Sequence, residues 1–295
     1  MKKRSVVIII VIASGLVFFG FAALVAIVGL TSDAGYSGFS GFGPKVAVIE
    51  VYGQILSSRD VVRQLKMWSD DGAVKAIVID IDSPGGGVAA SQEIYDQILK
   101  TREEGIVVIA SMSSVAASGG YYIACAADRI VANPGTLTGS IGVILSYPTA
   151  KKLFEKIGVE MEVVKSGELK DVGSMDRPMT PEEERMLQAV IDDSYEQFVE
   201  AIANGRNMEK EDIYPFADGS IFTGRQAYNI GLIDTLGSFE EAISIAGEMA
   251  NIGPYPDRVK ERKRKPGLFD ILAESAALLN KVSQLENTQP TLMYK

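Results

Sequence analysis

The sequence predicts an α/β fold built on a mainly parallel sheet, and three observations carry that prediction. Short, near-continuous runs of Val, Ile and Ala recur through the first half of the chain after residue 45. The first three are each followed by a stretch of helical character, the alternation that buries parallel strands on both faces. Two of the runs end in glycine-rich or small-residue turns, and in such folds functional groups gather at strand carboxyl ends.

The chain opens with Met1-Lys2-Lys3-Arg4 and an uncharged apolar run from Ser5 to Leu30. About 20 helical residues cross a bilayer core, so residues 1–30 read as a basic start and a retained transmembrane anchor. A cleaved leader has a shorter apolar region and a small-residue cleavage site, which is not evident near Thr31. The basic start stays cytoplasmic, which places the rest of the chain on the extracytoplasmic side of a cell membrane. Residues 31–44, rich in Gly, Ser and Phe, read as a flexible linker.

The α/β body is expected over residues 45–254. Lys45 to Ile55 reads as a strand, Arg59 to Ser69 as a helix, and Lys75 to Asp82 as a second strand ending in Ser83-Pro84-Gly85-Gly86-Gly87. Val88 to Glu104 follows as a helix, with Ile94, Ile98 and Leu99 at helical spacing. A third strand, Ile106 to Met112, precedes the small-residue turn Ser113 to Gly120, and Tyr121 to Ala127 begin a helix. Asp128 to Ala132, Ser140 to Ser146 and Val159 to Lys165 read as further strands, with a helix from Thr149 to Gly158. Thr180-Pro181-Glu182-Glu183 has the N-cap, proline and first-turn acids that open a long helix, expected to stop near Gly205. Residues 255–295 read as a basic segment, an amphipathic helix and a mobile tail.

Composition narrows the chemistry. The chain has 295 residues, a formal charge of -9, one cysteine and no histidine. Without imidazole there is no Ser-His-Asp triad, Cys-His dyad or HExxH zinc site. The acidic balance argues against nucleic acid as a partner. Cys125 has no thiol partner and reads as a buried packing residue. Asp80 and Asp82 lack the second matching loop of an aspartic-protease pair.

An activated serine without histidine needs another base, and lysine is the usual replacement. Ser118 in Ala116-Ala117-Ser118-Gly119-Gly120 is the best serine, since small neighbours let a carbonyl approach at what reads as a helix start. A close-packed strand-to-helix turn is the plainer reading of those residues. The Gly85-Gly86-Gly87 turn adds amides that could face a developing oxyanion; a phosphate loop is disfavoured because neither GxGxxG nor GKS/GKT occurs.

Four stretches in order carry a resemblance: Asp82 to Gly87, Ala117-Ser118-Gly119-Gly120-Tyr121-Tyr122, Thr138-Gly139-Ser140-Ile141-Gly142, and Lys165-Ser166-Gly167-Glu168-Leu169-Lys170-Asp171. Together they resemble the S49 family of Ser-Lys membrane peptidases, in its bacterial signal peptide peptidase A branch, over roughly Lys45 to Ala250. The resemblance implies Ser118 as nucleophile, Lys170 as general base and Ser140 as the residue that orients the base amine. It implies oxyanion donors from the N–H groups of Gly119 and of Gly85, or of the neighbouring Gly86. It also implies a crotonase-like fold of repeated β-β-α units, shared with the Clp protease subunit, and no metal or other cofactor.

The substrates implied are hydrophobic remnant signal peptides, and the assembly implied is a homo-oligomeric ring, an octamer, in which one subunit's lysine can serve a neighbour's serine. Two alternatives stand beside this reading: a related peptidase trimming hydrophobic tails of membrane proteins, and a non-catalytic crotonase-like binding protein. The physics adds a demand. A free lysine titrates near 10.4, so a base working at neutral pH must be desolvated, and a carboxylate such as Asp171 beside it works the other way. Lys165 is the rival base.

Overall fold

Alternation of period two along the strands sets the two faces of the sheet. In the computed structural model, which describes residues 43–261, Ala47, Ile49 and Val51 of β1 (Lys45–Tyr52) point into one core and Val46 and Val48 into another. The next strand, β2 (Val74–Ser83), repeats the pattern with Ile77, Ile79 and Ile81 on the first side and Ala76 and Val78 on the second. Both faces of a strand can be this apolar only when both are covered, which is what parallel pairing with helical crossovers provides.

The first face is covered by α1 (Arg59–Ser69), which buries Val61, Gln64, Leu65 and Trp68 at helical spacing, and by α2 (Val88–Glu103), which buries Ser91, Ile94, Ile98 and Thr101. Strand β3 (Val107–Ala117) follows, then the short α3 (Gly119–Ala124), β4 (Arg129–Ala132) and β5 (Leu137–Gly139). Beyond these come α4 (Lys151–Ile157), α5 (Pro181–Arg206) and α6 (Lys210–Ile213). The last described elements are β6 (Ile221–Thr223), α7 (Gly224–Asn229), β7 (Thr235–Leu236), α8 (Phe239–Met249) and β8 (Asp257–Lys260). Helix α8 supplies Ala242, Ile243 and Ala246 to the core on the second face.

The described strands form a sheet in the order β6-β5-β3-β2-β1-β8, with β4 pairing β3 and β7. All pairings are parallel except β5 with β6. Strand β3 is shared: Ile109–Met112 pair with β4, and Val115–Ala117 pair with β5. The sheet therefore turns a corner along one strand, and the ends of β2, β3 and β5 are brought together.

Several expectations change. The third strand does not stop at Met112; Ser113–Ala117 continue it, because small side chains suit a segment pressed between the ends of β2 and β5. Ser140–Ser146 and Val159–Lys165 are not strands. Their β-branched residues look like sheet in sequence, yet Ile144 is 89% exposed and Val164 fully exposed, and past the bonds of Ser140 and Ile141 to Ser220 and Gly219 no neighbouring strand in the described chain continues the ladder. The sheet also extends past residue 254, since β8 pairs with β1 at Lys45–Val48. The anchor expected at 5–30, most of the linker and the amphipathic tail helix lie outside the described residues. Among the described residues no helix is long and apolar enough to cross a membrane.

Candidate active site

Strand register assembles the site. Ala117 pairs with Gly139, which places Ser118 and Ser140 side by side just past the ends of β3 and β5. Ser83 pairs with Ala116, which brings the Ser83–Gly87 turn against the same point. The fold thus juxtaposes Ser118, Gly119, Ser140, Gly85 and Gly86 from three separate motifs.

Ser118 adopts φ 52° and ψ −122°, a conformation that residues with a Cβ rarely take and that costs on the order of 1–3 kcal/mol. Its surroundings hold it there. The Ser118 N–H donates to Gly139 O at 2.8 Å, and Ser118 O accepts from Tyr122 N at 2.8 Å to start α3. The Tyr122 ring is packed between Tyr95 of α2 and Phe198 of α5, at centroid distances of 5.0 and 5.1 Å, and so fixes the helix behind the serine. The Ser118 hydroxyl is partly exposed and makes no hydrogen bond among the described residues.

The glycine turn presses on this elbow. Gly85, at φ 98°, packs so closely that a Cβ there would stand 2.6 Å from Gly119 N and 2.9 Å from Ser118 Cβ. Ile55 N–H donates to Gly85 O and Gly87 N–H donates to Ile55 O, both at 2.9 Å, an isolated parallel bridge centred on Gly86. In that geometry the N–H of Gly86 itself points away from Ile55, and its nitrogen lies 3.3 Å from where a Cβ on Gly119 would be. The Gly85 N–H, by contrast, donates to Ser83 Oγ at 3.1 Å. Of the candidate oxyanion donors, Gly86 and Gly119 have N–H groups with no partner among the described residues, whereas that of Gly85 has one. Ser91, which sequence reasoning did not single out, lies behind them: its Oγ donates to Gly87 O at 3.1 Å and leaves no room for a side chain at Gly119.

Ser140 has the left-handed φ of 50°, and its N–H donates to Ser220 O at 2.7 Å. Beyond it the chain leaves the sheet as an arm, residues 141–179, and Lys170 is on that arm. Its side chain is exposed and has neither a hydrogen bond nor an ion pair among the described residues. Among the described residues Lys170 therefore makes no hydrogen bond to Ser118. Lys165, the rival base, is engaged elsewhere: its Nζ donates to Asp171 Oδ1 at 2.6 Å and to Glu168 O at 2.8 Å.

The other singled-out groups have structural partners. Asp80 accepts from Tyr52 Oη at 2.5 Å and from Ser113 Oγ at 2.9 Å, and Asp82 accepts from Val115 N at 3.0 Å. Cys125 is buried, and burial pushes its thiol up to about 12, so it stays protonated and packs.

Comparison with known proteins supplies the family. The model of peptidase family S49 matches residues 100–253, and that of the Clp protease family matches residues 45–135. A putative protease of Synechocystis sp. is 49% identical over 71% of this chain and 76% of its own length. A putative signal peptide peptidase SppA of Enterococcus faecium is 40% identical over 63% of this chain, but over only 54% of its own length. The chloroplastic serine protease SPPA of Arabidopsis thaliana is 40% identical over 68% of this chain and 30% of its own. The chain thus spans about half or less of several relatives. With a serine presented at a strained strand end, a glycine turn packed against it, and a family match that covers more than half of its residues, this chain belongs to peptidase family S49 and is a serine peptidase.

Proposed function

We propose that this peptidase is anchored in the membrane by its amino-terminal apolar run and degrades remnant signal peptides with Ser118 as nucleophile and Lys170 as general base. The observation that carries the nucleophile is the strained Ser118 elbow packed against the glycine turn, where the Gly86 and Gly119 N–H groups have no hydrogen-bond partner among the described residues. Those two amides are the oxyanion donors in this reading; Gly85 serves the turn through its backbone conformation. Ser140, adjacent in register, is the residue that accepts or donates to the lysine amine. The substrate class is supported by the name of the Enterococcus relative and by the apolar run in the sequence.

In the reaction, the neutral Lys170 amine takes the Ser118 hydroxyl proton as Oγ attacks the peptide carbonyl carbon. The negative charge that develops on the carbonyl oxygen is met by the Gly86 and Gly119 N–H groups. Collapse of the tetrahedral intermediate expels the amine product, which receives the proton from the lysine, and leaves an acyl-serine. Water then attacks the ester, with the same lysine accepting its proton and returning it to Ser118.

Because Lys170 stands exposed on the arm, the dyad is completed by a neighbouring copy in a ring, where contact with that copy's strand ends removes the amine from water. Exposed apolar side chains along the same arm, Ile144, Leu153, Ile157, Met161 and Val164, support such a contact. The test uses an apolar fluorogenic peptide and the detergent-solubilised full chain. Ser118→Ala and Lys170→Ala should each lower turnover by at least about 10³-fold while remaining folded. Mixing the two under subunit exchange should restore activity. Survival of activity in either single variant sinks the dyad, and failure of mixed, co-assembled variants to recover returns the site to a single subunit.

A further inference from the structure

The loop that carries Lys170 holds a charge cluster that the dyad does not explain. Asp171 follows Lys170 directly, and an unpaired carboxylate there would favour the protonated amine, the wrong state for a base. Both of its oxygens are instead taken. Lys165 Nζ is 2.6 Å and Arg177 Nη2 2.9 Å from Oδ1, and Arg177 Nε donates to Oδ2 at 3.1 Å.

The clamp is itself fixed. Arg177 Nη1 donates to Glu183 Oε2 at 2.9 Å and Arg177 Nη2 to Glu183 Oε1, while the same carboxylate accepts from Thr180 N at 2.8 Å. Glu183 is buried at the third position of α5, inside a capping box with Thr180, so the guanidinium is tied to the first turn of the longest described helix. Arg177 and then Lys165 hold the Asp171 carboxyl well below the usual carboxylate range. The Asp171 side chain is only 14% exposed, which shields these pairs from the full screening that weakens surface ion pairs.

We propose that Lys165 and Arg177 act as a charge clamp that commits Asp171 and keeps its carboxylate from pairing with the Lys170 amine, which makes both of them positioning residues for catalysis. The inference rests on Lys170 being the base. Two cations, Lys165 and Arg177, face two carboxylates, Asp171 and Glu183, so the cluster is neutral beside the amine. Within the loop the remaining charged side chains are Glu168, whose carbonyl accepts from Lys165, and Asp176, whose carboxylate accepts from Ser174 Oγ. Lys165 is therefore not a spare base; its charge frees the real one.

The experiment is the pH profile of kcat/KM for the assembled full-length chain. In Lys165→Met the cluster keeps one uncompensated negative charge, and the acid limb should move up by about one pH unit with the high-pH plateau kept. Adding Asp171→Asn to Lys165→Met should bring the limb back, and Lys165→Arg should keep it in place. A merely structural role for Lys165 would give no such rescue. An unmoved limb in Lys165→Met overturns the clamp, as does a loss at every pH that Asp171→Asn does not repair. If Lys170→Ala stays active while Lys165→Met is dead, it is the base assignment that falls, and Lys165 takes its place. Should Lys165→Met fail to assemble, Arg177→Lys, which keeps the charge but loses the fork, supplies the same comparison with a smaller expected shift.

Discussion

The two halves of the candidate site are built differently. The nucleophile half is part of the sheet: Ser118, Ser140 and the glycine turn are fixed by strand register, and a methyl group added at Gly85, Gly86 or Gly119 would overlap neighbouring atoms. The half that carries Lys170 is an arm that is rooted by the buried Ile141, whose only described helix, α4, buries none of its residues, and which exposes Ile144, Leu153, Ile157, Met161 and Val164. One half is finished by the fold of the chain, the other only by what it meets. Under the proposed dyad the geometry at the bond being broken is ready within one chain, while proton removal waits on assembly, and an isolated chain should be inactive.

The sharpest way to test the rigid half is to add one carbon atom. A Cβ on Gly86 would stand 2.3 Å from Ile55 O and 2.7 Å from Ile55 N and C, all backbone atoms that cannot step aside as a side-chain tip could. Gly86→Ala should displace the turn and cost about 10²- to 10³-fold in kcat, the scale of a lost oxyanion donor. Gly87→Ala is the control, because a Cβ there would meet its nearest neighbour at an ordinary 3.7 Å. It should remain within a few-fold of wild type. Equal damage from both would mean that the turn tolerates no change at all and would remove the special role of the Gly86 amide.

The arm is tested by charge. Val164 is fully exposed in the isolated chain, so Val164→Asp should leave thermal stability of the body within about 0.5 kcal/mol. If the arm is an interface between copies, the same change should weaken association by roughly tenfold or more and take activity with it. Analytical ultracentrifugation alongside peptide turnover reads both quantities. Full activity from a dissociated Val164→Asp chain would erase the contrast between the two halves, because the base would then reach Ser118 unaided.

The same contrast explains which features could be read in sequence. The β1, β2 and β4 strands, α1, α2 and the start of α5 were legible because local signals and tertiary burial agree there: Val and Ile runs are buried on both sides, and Thr180, Pro181 and Glu183 form the expected cap. Ser118 stands out in sequence as a candidate nucleophile because histidine is absent and small residues surround it. The sequence pattern misleads at Ser140–Ser146 and Val159–Lys165, where Ile141 packs into the core without a strand around it and Ile144 and Val164 serve an exposed surface and not a ladder. The preference between Gly85 and Gly86 was not legible either, since adjacent glycines differ only in which way each N–H points. Nor was the Arg177–Asp171 pair, whose partners are set by the path of an irregular loop.

Acid offers the smallest and most local way to separate the two halves. Glu183 is held down to about 2, first by the Arg177 guanidinium and then by the Thr180 N–H, against an unfolded value of 4.5. A carboxyl depressed in this way stabilises the folded form fully above pH 4.5, and that contribution drains away as pH falls from 4.5 through about 2. Asp171 is shifted in the same direction by the same guanidinium, so the loop at residues 165–177 should loosen in this window while β2 and β3, which hold no Arg–carboxylate pair, should not. Hydrogen exchange followed stepwise in pH, expressed as protection factors, should show several-fold loss in the loop and in the first turn of α5 ahead of any loss in the strands. Glu183→Gln retains a residue suited to the capping box but has no charge to lose, and should flatten the loop's pH response. Simultaneous loss in loop and strands would show that the arm's base-bearing loop is not an independent unit, and the division of the site into a fixed and a contingent half would then lie elsewhere on the chain.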